Sequence, residues 1–248
     1  MCFADADDEV TPYYVEHFVD AMEEGVDIII SEAVFVHEDG SRERLSYKSY
    51  GTLSLPEIFS DNELSAHGYA CAKCYRIWPM SLVTHELPLR FPEEIRFSED
   101  LIFVMQYLTV SPRAKYIPYA DYIYYLRSGS ASGRFFTFEM ERSCFYKYIA
   151  QMNILSAISD IDLMQFSSSA SILSMLFARV RNSMYIKKEL SREERVNFYK
   201  NIAPEIRQII CDNSRGANML VRLGYKLFMR GKHFKLMDWY FFFMIAIY

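Results

Sequence analysis

The chain has 248 residues, 51% of them hydrophobic, and a formal net charge of −5. A chain of this length and apolar content can bury a sizeable core in one to two domains. Its negative charge argues against non-specific binding to nucleic acid, because that binding needs a basic surface. The five cysteines are scattered, and no apolar secretory segment follows Met1, so we expect reduced thiols in a cytoplasmic protein.

A cluster of acidic residues stands at the beginning of the sequence. Asp5, Asp7 and Asp8 directly follow a short apolar run. Carboxylates at this spacing repel one another, so a folded protein usually balances them with a cation or with hydrogen-bond donors. Oxygen ligands of this kind suit Mg²⁺ or Mn²⁺, ions that commonly hold phosphates. The alternative is a solvated turn whose acidic side chains cap the next helix, and the spacing alone does not separate the two.

The segments that follow show helix and strand patterns in turn. Residues 13–22 are predicted to form a helix, and residues 26–36, rich in β-branched side chains, a strand. Asp39-Gly40 is a strong hairpin signal, with residues 42–48 as the return strand. We therefore expect a β-hairpin after the first helix.

The second part of this region continues the mixed pattern. Ser54 and Glu57 have the spacing of a capping box and predict a short helix through Phe59. Residues 60–72 have the composition of a loop, and residues 116–126, rich in Tyr and Ile, are predicted as a strand. Residues 1–133 are thus expected to be α/β.

A flexible Ser/Gly segment, residues 128–133, provides the best candidate for a domain boundary. Beyond it, apolar residues recur at helical spacing, and Ser191 and Glu194 form a second capping-box pattern. We expect residues 134–248 to be an all-helical extension of three to five helices.

Five short motifs occur in order within residues 1–132. They are Asp5-Ala-Asp-Asp8, Asp27-Ile-Ile-Ile30, Lys73-Cys-Tyr-Arg76, Phe97-Ser-Glu-Asp-Leu101, and Tyr125-Leu-Arg127 followed by Ser130 and Ser132. Together they resemble the motifs of family 2 glycosyltransferases of the GT-A type, in which an Asp-x-Asp metal motif follows an apolar strand. The resemblance does not extend over residues 140–248.

This resemblance implies a fold and an activity. The fold would be α/β, a partial GT-A-like (Rossmann-like) glycosyltransferase domain followed by the helical extension. The activity would be transfer of a sugar from a nucleotide-sugar donor to a glycan or lipid-linked acceptor in surface polysaccharide synthesis, with Mg²⁺ or Mn²⁺. Family members place nucleotide-binding βα units before the Asp-x-Asp strand, and three such units of ~30 residues would need roughly 90 residues. Because this sequence lacks them, we expect it to be the acceptor-side half of the domain, truncated or a fragment.

The resemblance also implies roles for the acidic cluster. Asp7, with Asp5 and Asp8, would hold the divalent cation that neutralises the leaving diphosphate. Asp5, Asp7 and Arg127 would bind the nucleotide-sugar donor.

The Glu-Asp motif is implied to act on the acceptor. Asp100 would be the base that deprotonates the acceptor hydroxyl, with Glu99 orienting the acceptor. Lys73 and Arg76 would contact the acceptor. The residues themselves also allow a structural interpretation, because Ser98 is a good N-cap and acids in the first turn favour the helix dipole.

Other readings of these motifs remain open. Asp-x-Asp also occurs in aspartate-nucleophile phosphohydrolases, although Glu9 stands where those enzymes usually carry Thr or Val. A non-catalytic remnant or binding module is a further alternative. Cys71 and Cys74, with His67 nearby, have zinc-like spacing, but no second pair accompanies them, so two semi-buried thiols are favoured.

The C-terminal segment is basic and then aromatic. No acid lies between Asp212 and Asp238, and ten apolar or aromatic residues, 239–248, end the sequence. These are too few to span a bilayer, which needs about 20 residues. The pattern favours peripheral contact of residues 215–248 with an anionic membrane face, and the alternative is a helix end that packs on protein.

Overall fold

The computed structural model describes residues 1–77, 89–127, 134–213 and 219–247. The chain divides into two compact units. The first, which we name the sheet unit, comprises residues 1–134 and 150–168. The second, the helical unit, comprises residues 135–149 and 169–248. The Ser/Gly segment 128–133, expected as the boundary, lies outside the described residues.

The sheet unit alternates short strands and helices. In chain order the elements are β1 (Glu9–Val10), α1 (Tyr14–Asp20), β2 (Ile28–Val36), β3 (Arg42–Leu45), β4 (Gly51–Ser54), α2 (Leu55–Ser60), β5 (Lys73–Tyr75), α3 (Glu99–Val110) and β6 (Arg113–Tyr125). The strands form one six-stranded sheet among the described residues.

Two long strands, β2 and β6, form the centre of this sheet. They run parallel, with Ile29 opposite Lys115 and Val36 opposite Tyr125, and their register shifts between Ser31 and Ala33. β1 and β4 pair antiparallel with β6, whereas β3 and β5 pair antiparallel with β2. The shift allows each long strand to serve different neighbours in its two halves.

Local sequence signals explain the shorter elements. The hairpin from β2 to β3 pairs Val36 with Arg42, and Gly40 takes a φ of 81°, as expected for an Asp-Gly turn. Its return strand ends at Leu45, earlier than predicted. In α2 the capping box is confirmed, because the Glu57 carboxylate accepts the backbone N–H of Ser54 at 2.8 Å.

Helix α3 is a central part of the core of the sheet unit. Residues 101–105 of this helix are all buried, as are Tyr107 and Leu108. The Tyr107 hydroxyl lies 2.8 Å from the backbone carbonyl oxygens of both Asp27 and Arg76. These bonds tie the helix to the segments that begin β2 and follow β5.

The remaining elements are helical. They are α4 (Phe138–Ser159), a 3₁₀ turn (Leu163–Gln165), α5 (Ser167–Ile186), α6 (Arg192–Lys200), α7 (Pro204–Asn213), α8 (Met219–Met229) and α9 (Phe234–Ile247). The described part of residues 134–248 therefore holds six α-helices, and the expected three to five was wrong. Turns of only a few residues separate several of them, and such short breaks interrupt the apolar periodicity too little to be seen in the sequence.

Buried charges in the helical unit are matched. Glu141 and Arg179 form a bidentate pair, with N–O distances of 2.9 and 2.8 Å. Asp238, only 1% exposed, accepts from Arg195 at 2.7 Å and from the Tyr185 hydroxyl at 3.0 Å. Pairing of this kind offsets the desolvation that burial imposes on a charge.

The expected fold class is confirmed: an α/β domain with a six-stranded sheet precedes a helical C-terminal region. Within the described ranges, no helix combines the length and the apolar character that crossing a membrane would require.

Candidate active site

The acidic residues near the beginning of the chain lie in a turn beside β5. The backbone of Cys2 pairs with that of Cys74 in an isolated β-bridge, and the backbone of Phe3 pairs with that of Cys71 in another. Residues 1–4 therefore lie along β5 and the residues just before it. The backbone N–H of Asp8 then donates to the carbonyl of Asp5 at 3.2 Å and closes the turn.

The side chain of Tyr122 in β6 fixes this turn. Its buried hydroxyl donates to one Asp8 carboxylate oxygen at 2.7 Å and accepts the N–H of Asp5 at 3.0 Å. The other oxygen of Asp8 accepts the N–H of Tyr125 at 3.0 Å. In the structure Asp8 is thus an anchor of the turn, which differs from the metal ligand expected from its position in the motif.

Asp7 and Arg127, two expected donor-binding residues, lie together at the tip of this turn. The Arg127 Nε is 3.6 Å from the Asp7 carboxylate, and its Nη2 donates to the Asp7 carbonyl at 3.3 Å. Both side chains are more than half exposed. They are therefore accessible to a ligand. Ser130 and Ser132, which follow in the same motif, lie outside the described residues.

Asp5 and Asp100 lie near the same short segment of the sheet unit, because Asp100 accepts the N–H of Ala70 and Phe3, two residues before Asp5, pairs in a β-bridge with Cys71. Burial is the main cause that raises the pKa of Asp5, and the negative charges of Asp8, Asp100 and Asp7 raise it further. The pKa of Asp100 is also raised, by burial first and by the neighbouring Glu99. The first and fourth motifs are therefore parts of one acidic site.

Asp100 stands in the first turn of α3, as predicted. Its carboxylate accepts the backbone N–H of Ala70 at 3.3 Å, a bond that favours the charged form. Glu99, half-buried, is the first residue of the helix. The expected capping role of Ser98 is wrong, because its side chain makes no capping bond and its backbone is left-handed, with φ 56°.

Lys73 supports the loop that supplies the Ala70 N–H. The side chain is 1% exposed, and its ammonium donates to the backbone carbonyls of His67 and Tyr69. Burial lowers the pKa of Lys73 to about 8, while the charges of Cys71 and Asp100 oppose that shift. A lysine used in this way positions the loop, and we give it that role in place of the expected acceptor contact.

Arg76 also has partners within the protein. Its guanidinium lies 3.2 Å from the Asp27 carboxylate and donates to the carbonyl of Glu23 at 3.3 Å. These contacts hold the end of β5 against the segment before β2. The structure thus places Arg76 in a framework contact, which differs from the expected acceptor contact.

Close packing holds the same loop on helix α3. A Cβ added at Gly68 would lie 2.3 Å from Leu101 Cδ1 and 3.1 Å from the Leu101 backbone Cα. Only glycine permits this approach, since the backbone atom cannot move aside as a flexible side chain could. The loop and the first turn of α3 are thereby fixed relative to each other.

Aromatic side chains that the sequence motifs did not identify lie beside the acidic residues. The rings of Tyr69 and Tyr124 are 6.2 Å apart, and Phe35 is 5.6 Å from Tyr124. Burial raises the pKa of Tyr124 to about 12, with the charges of Asp8 and Asp5 adding to the effect. Strand alternation could have found this residue, because positions 122 and 124 of one strand share a face.

The site was tested for its fit to a divalent cation. Among the described residues no group of three or more His, Cys, Asp or Glu side chains converges as a metal site. Asp5 and Asp7 could supply one or two oxygens, the number that Mg²⁺ commonly takes from protein when waters and phosphates complete its shell. The repulsion among the carboxylates is the feature that a cation would relieve. The residues therefore fit a metal that binds together with a diphosphate.

The cysteines of the Cys-x-x-Cys segment are free thiols. Cys71 and Cys74 are both buried, and burial raises the pKa of Cys71 to about 11. A Cys71 thiol kept neutral in this way is a poor metal ligand, because zinc binds the thiolate, whereas a hydrogen bond with Cys2 lowers the pKa of Cys74. Within the described part of the chain, the expectation of semi-buried thiols agrees with this placement.

Comparisons with known proteins identify the fold. No protein-family description matches the sequence, and no curated protein matches it. Among solved structures, S. aureus TarS 1-349 in complex with UDP has a TM-score of 0.50 at 13% identity, over 96% of this chain and 64% of that one. A second S. aureus TarS structure has a TM-score of 0.49 at 13% identity, over 96% of this chain and 39% of the other.

The chain spans less than two thirds of the length of these structures. At such low identity, the likeness concerns the fold alone. The mixed α/β fold with a helical C-terminal region is thus similar to the fold of S. aureus TarS 1-349.

Proposed function

We propose that this chain is the acceptor-side part of a glycosyltransferase that moves a sugar from a nucleotide-sugar donor to a glycan or lipid-linked acceptor. The observation that carries the proposal is that one short segment adjoins both motifs. Asp100, at the start of α3, accepts the N–H of Ala70, and the next residue, Cys71, pairs in a β-bridge with Phe3, two residues before Asp5. Two motifs with separate roles in family 2 glycosyltransferases thus meet in one site. The shared fold with a protein solved in complex with UDP agrees with a nucleotide-diphosphate donor.

The donor would lie at the tip of the turn. Asp7 and Arg127 are exposed there, and they present a carboxylate and a guanidinium side by side. A guanidinium can bind a phosphate through two N–H groups. A bound Mg²⁺ or Mn²⁺, held by Asp7 and Asp5, would supply Lewis-acid stabilisation of the departing diphosphate.

The acceptor would be activated by Asp100. Its carboxylate takes the proton of the acceptor hydroxyl while that oxygen attacks the anomeric carbon and the bond from that carbon to the diphosphate oxygen breaks. A pKa raised by burial makes Asp100 a stronger base than an exposed aspartate. Glu99, on the same helix turn, would orient the acceptor.

The aromatic side chains provide a surface for a sugar ring. Tyr69 and Tyr124 are partly buried beside the acidic residues, and each leaves part of its ring accessible. Aromatic rings offer apolar faces with a polar edge, which suits ligands that carry both C–H and O–H groups. We assign this pair to acceptor contact in place of Lys73 and Arg76.

The reaction class is tested by two assays run in parallel. UDP-sugars are supplied with and without glycan acceptors, and a generic phosphate ester is supplied separately. Acceptor-dependent release of UDP is expected. Phosphate release from the ester that disappears in Asp5→Asn would instead identify an aspartate phosphohydrolase. A chain without either activity would be a remnant or a binding module.

The metal role is tested by titration with Mn²⁺. Asp7→Ala should weaken binding, and Asp20→Ala, an exposed carboxylate at the end of α1, serves as the matched control. Binding should be measured with UDP present, since the diphosphate is expected to complete the metal shell. Equal affinity of the two variants would remove Asp7 from the metal site.

The family 2 assignment, surface polysaccharide synthesis and a cytoplasmic location complete the proposal. Five motifs in order support the family, and reduced cysteines support the location.

A further inference from the structure

The helical unit contains a cavity that the proposed transferase site does not use. It has a volume of about 660 Å³ and opens widely to solvent. Its lining comes from the end of α6, from α7, from the turn before α9 and from the first turn of α9. Its described lining consists of Val196, Lys200, Arg207, Gly231, Lys232, His233, Phe234, Lys235 and Leu236. Four of these side chains carry a permanent positive charge, and none in this set is a carboxylate.

The positive charge of this cavity is not cancelled nearby. Among the described residues, no salt bridge joins Lys200, Arg207, Lys232 or Lys235 to an acid. Asp238, on the same helix α9, is already matched by Arg195 at 2.7 Å and lies buried. Lys200, Lys232 and Lys235 are exposed and Arg207 is half-buried, so an anion against this lining would meet four positive charges and would be stabilised.

Arg207 is the most constrained of these cations. Its Nε is buried without a hydrogen-bond partner in the described structure, and its guanidinium packs over the Phe234 ring at 5.7 Å. Gly231, with φ 58°, brings the loop so close that a Cβ there would lie 2.9 Å from Arg207 Nη1. A buried N–H donor that lacks a partner is costly unless a ligand supplies one.

The helix that begins at the cavity also exposes an apolar face. Three residues at helical spacing form this face: Leu236, Trp239 and Phe243, which are 51%, 53% and 45% exposed. The ring centroids of Trp239 and Phe243 are 4.5 Å apart. The opposite face of α9 is buried through Met237 and Phe241. A helix with one face in the core and another carrying exposed aromatic groups beside basic residues matches an interfacial membrane helix.

We propose that this cavity binds the phosphate of an anionic phospholipid headgroup while the exposed face of α9 enters the membrane surface. The phosphate would receive donors from Arg207 and from the lysines around it. The apolar face points to a lipid as the source of that phosphate, since a soluble anion would leave those side chains in water. This site would hold the chain at a membrane, independently of whether the sheet unit is catalytic.

The test compares two charge-removing double variants of the full chain. Lys232→Gln/Lys235→Gln changes the cavity, and Arg222→Gln/Lys226→Gln removes the same charge from exposed positions of α8 outside the described lining. Binding to vesicles of phosphatidylcholine with and without phosphatidylglycerol is measured by sedimentation. Each basic residue near an anionic surface contributes about fivefold, so the cavity variant should lose roughly 25-fold and the control less than about threefold.

Other results would overturn the proposal. Equal losses in the two variants would indicate a diffuse basic patch, and equal binding to neutral and anionic vesicles would exclude the phosphate site. Inorganic pyrophosphate that binds the wild type but not the cavity variant, with no vesicle binding, would assign the cavity to a soluble anion. Trp239→Ala/Phe243→Ala should weaken vesicle binding, and unchanged binding would contradict insertion of α9.

Discussion

Carboxylates meet different conditions in the two units. In the helical unit, Glu141 and Asp238 are each held by arginine at short distance. In the sheet unit, Asp100 is half-buried and Asp5 is exposed, and within the described residues neither forms a salt bridge. The pKa values of both are raised as a result, chiefly by burial.

This difference separates structural charge from functional charge. A matched pair offsets its desolvation inside the protein and contributes to a specific fold. An unmatched carboxylate destabilises the fold slightly and remains available to a cation, a proton or a substrate. Variants of the two kinds of site should therefore give opposite signatures in activity and in stability.

The largest effect is expected from Asp100→Asn. It should retain donor binding but reduce turnover by about 10²–10⁴-fold, because an amide cannot accept the acceptor proton. Steady-state rates of UDP release, with UDP affinity measured separately, check this. Near-normal turnover would mean that Asp100 only begins the helix, and Asp61→Asn, an acid at the end of α2, provides the control.

The largest loss of stability is expected from Arg179→Met in the helical unit. The change leaves Glu141 buried without its bidentate partner and should lower the free energy of unfolding by about 3–5 kcal/mol. Denaturant unfolding followed by circular dichroism measures it. Removing the exposed pair partner, Arg142→Met, should cost at most about 1 kcal/mol. Similar losses of unfolding free energy in the two variants would show that the buried pair stabilises the fold no more than the exposed pair does.

The turn itself contains both kinds of carboxylate. Asp8→Ala should destabilise by about 1–3 kcal/mol, since the hydroxyl of Tyr122 and the N–H of Tyr125 lose their acceptor. Asp5→Asn should instead raise stability at neutral pH. Because the pKa of Asp5 is raised, the folded state binds a proton at this carboxyl group more readily than the unfolded state does. Protonated Asp5 therefore contributes fully to the free energy of unfolding only below pH 3.8, and this contribution is lost as pH rises.

Melting temperatures at pH 7 distinguish these variants. Asp5→Asn should melt higher than the wild type and Asp8→Ala lower. If both variants melted lower, Asp5 would be a structural residue like its neighbour.

The smallest effect concerns the pH dependence that Lys73 confers. Burial lowers its pKa from 10.5 to about 8, so between these values the unfolded chain binds the proton that the folded state has lost. Stability of the wild type relative to Lys73→Met should therefore rise with pH in this window, by up to about 1.4 kcal/mol per unit, and stay constant below it. Unfolding free energies at pH 7 and 9.5 give the answer. If the difference in unfolding free energy between the wild type and Lys73→Met did not change with pH, Lys73 would not lose its proton in the folded state as we expect.

Local sequence patterns predicted much of the secondary structure. The hairpin at Asp39-Gly40 and the capping boxes at Ser54 and Ser191 follow short-range rules and are confirmed. Each depends on residues within a few positions of one another, and such interactions act before any tertiary contact forms.

The site was harder to predict, because its contacts span the sequence. Tyr122 holds Asp8 across 114 residues, and no local periodicity reports such a partner. Lys73 was expected to contact the acceptor, yet it is buried beneath a loop whose carbonyl groups it supports. The motifs could predict which residues share the site. They could not predict which of them anchor it and which face the substrate.

The position of β6 has a consequence for how the sheet unit is made in the cell. This strand is the last of the sheet in the chain, yet it pairs with β1, β2 and β4. During synthesis, the earlier strands leave the ribosome before β6, and they remain unpaired with it until residue 125 has been translated. Pairing between strands so distant in sequence is slow. Because of this delay, we expect the sheet unit to depend on chaperones during translation. Nascent chains that end before β6 should be sensitive to protease, and those that extend beyond residue 168 should be protected.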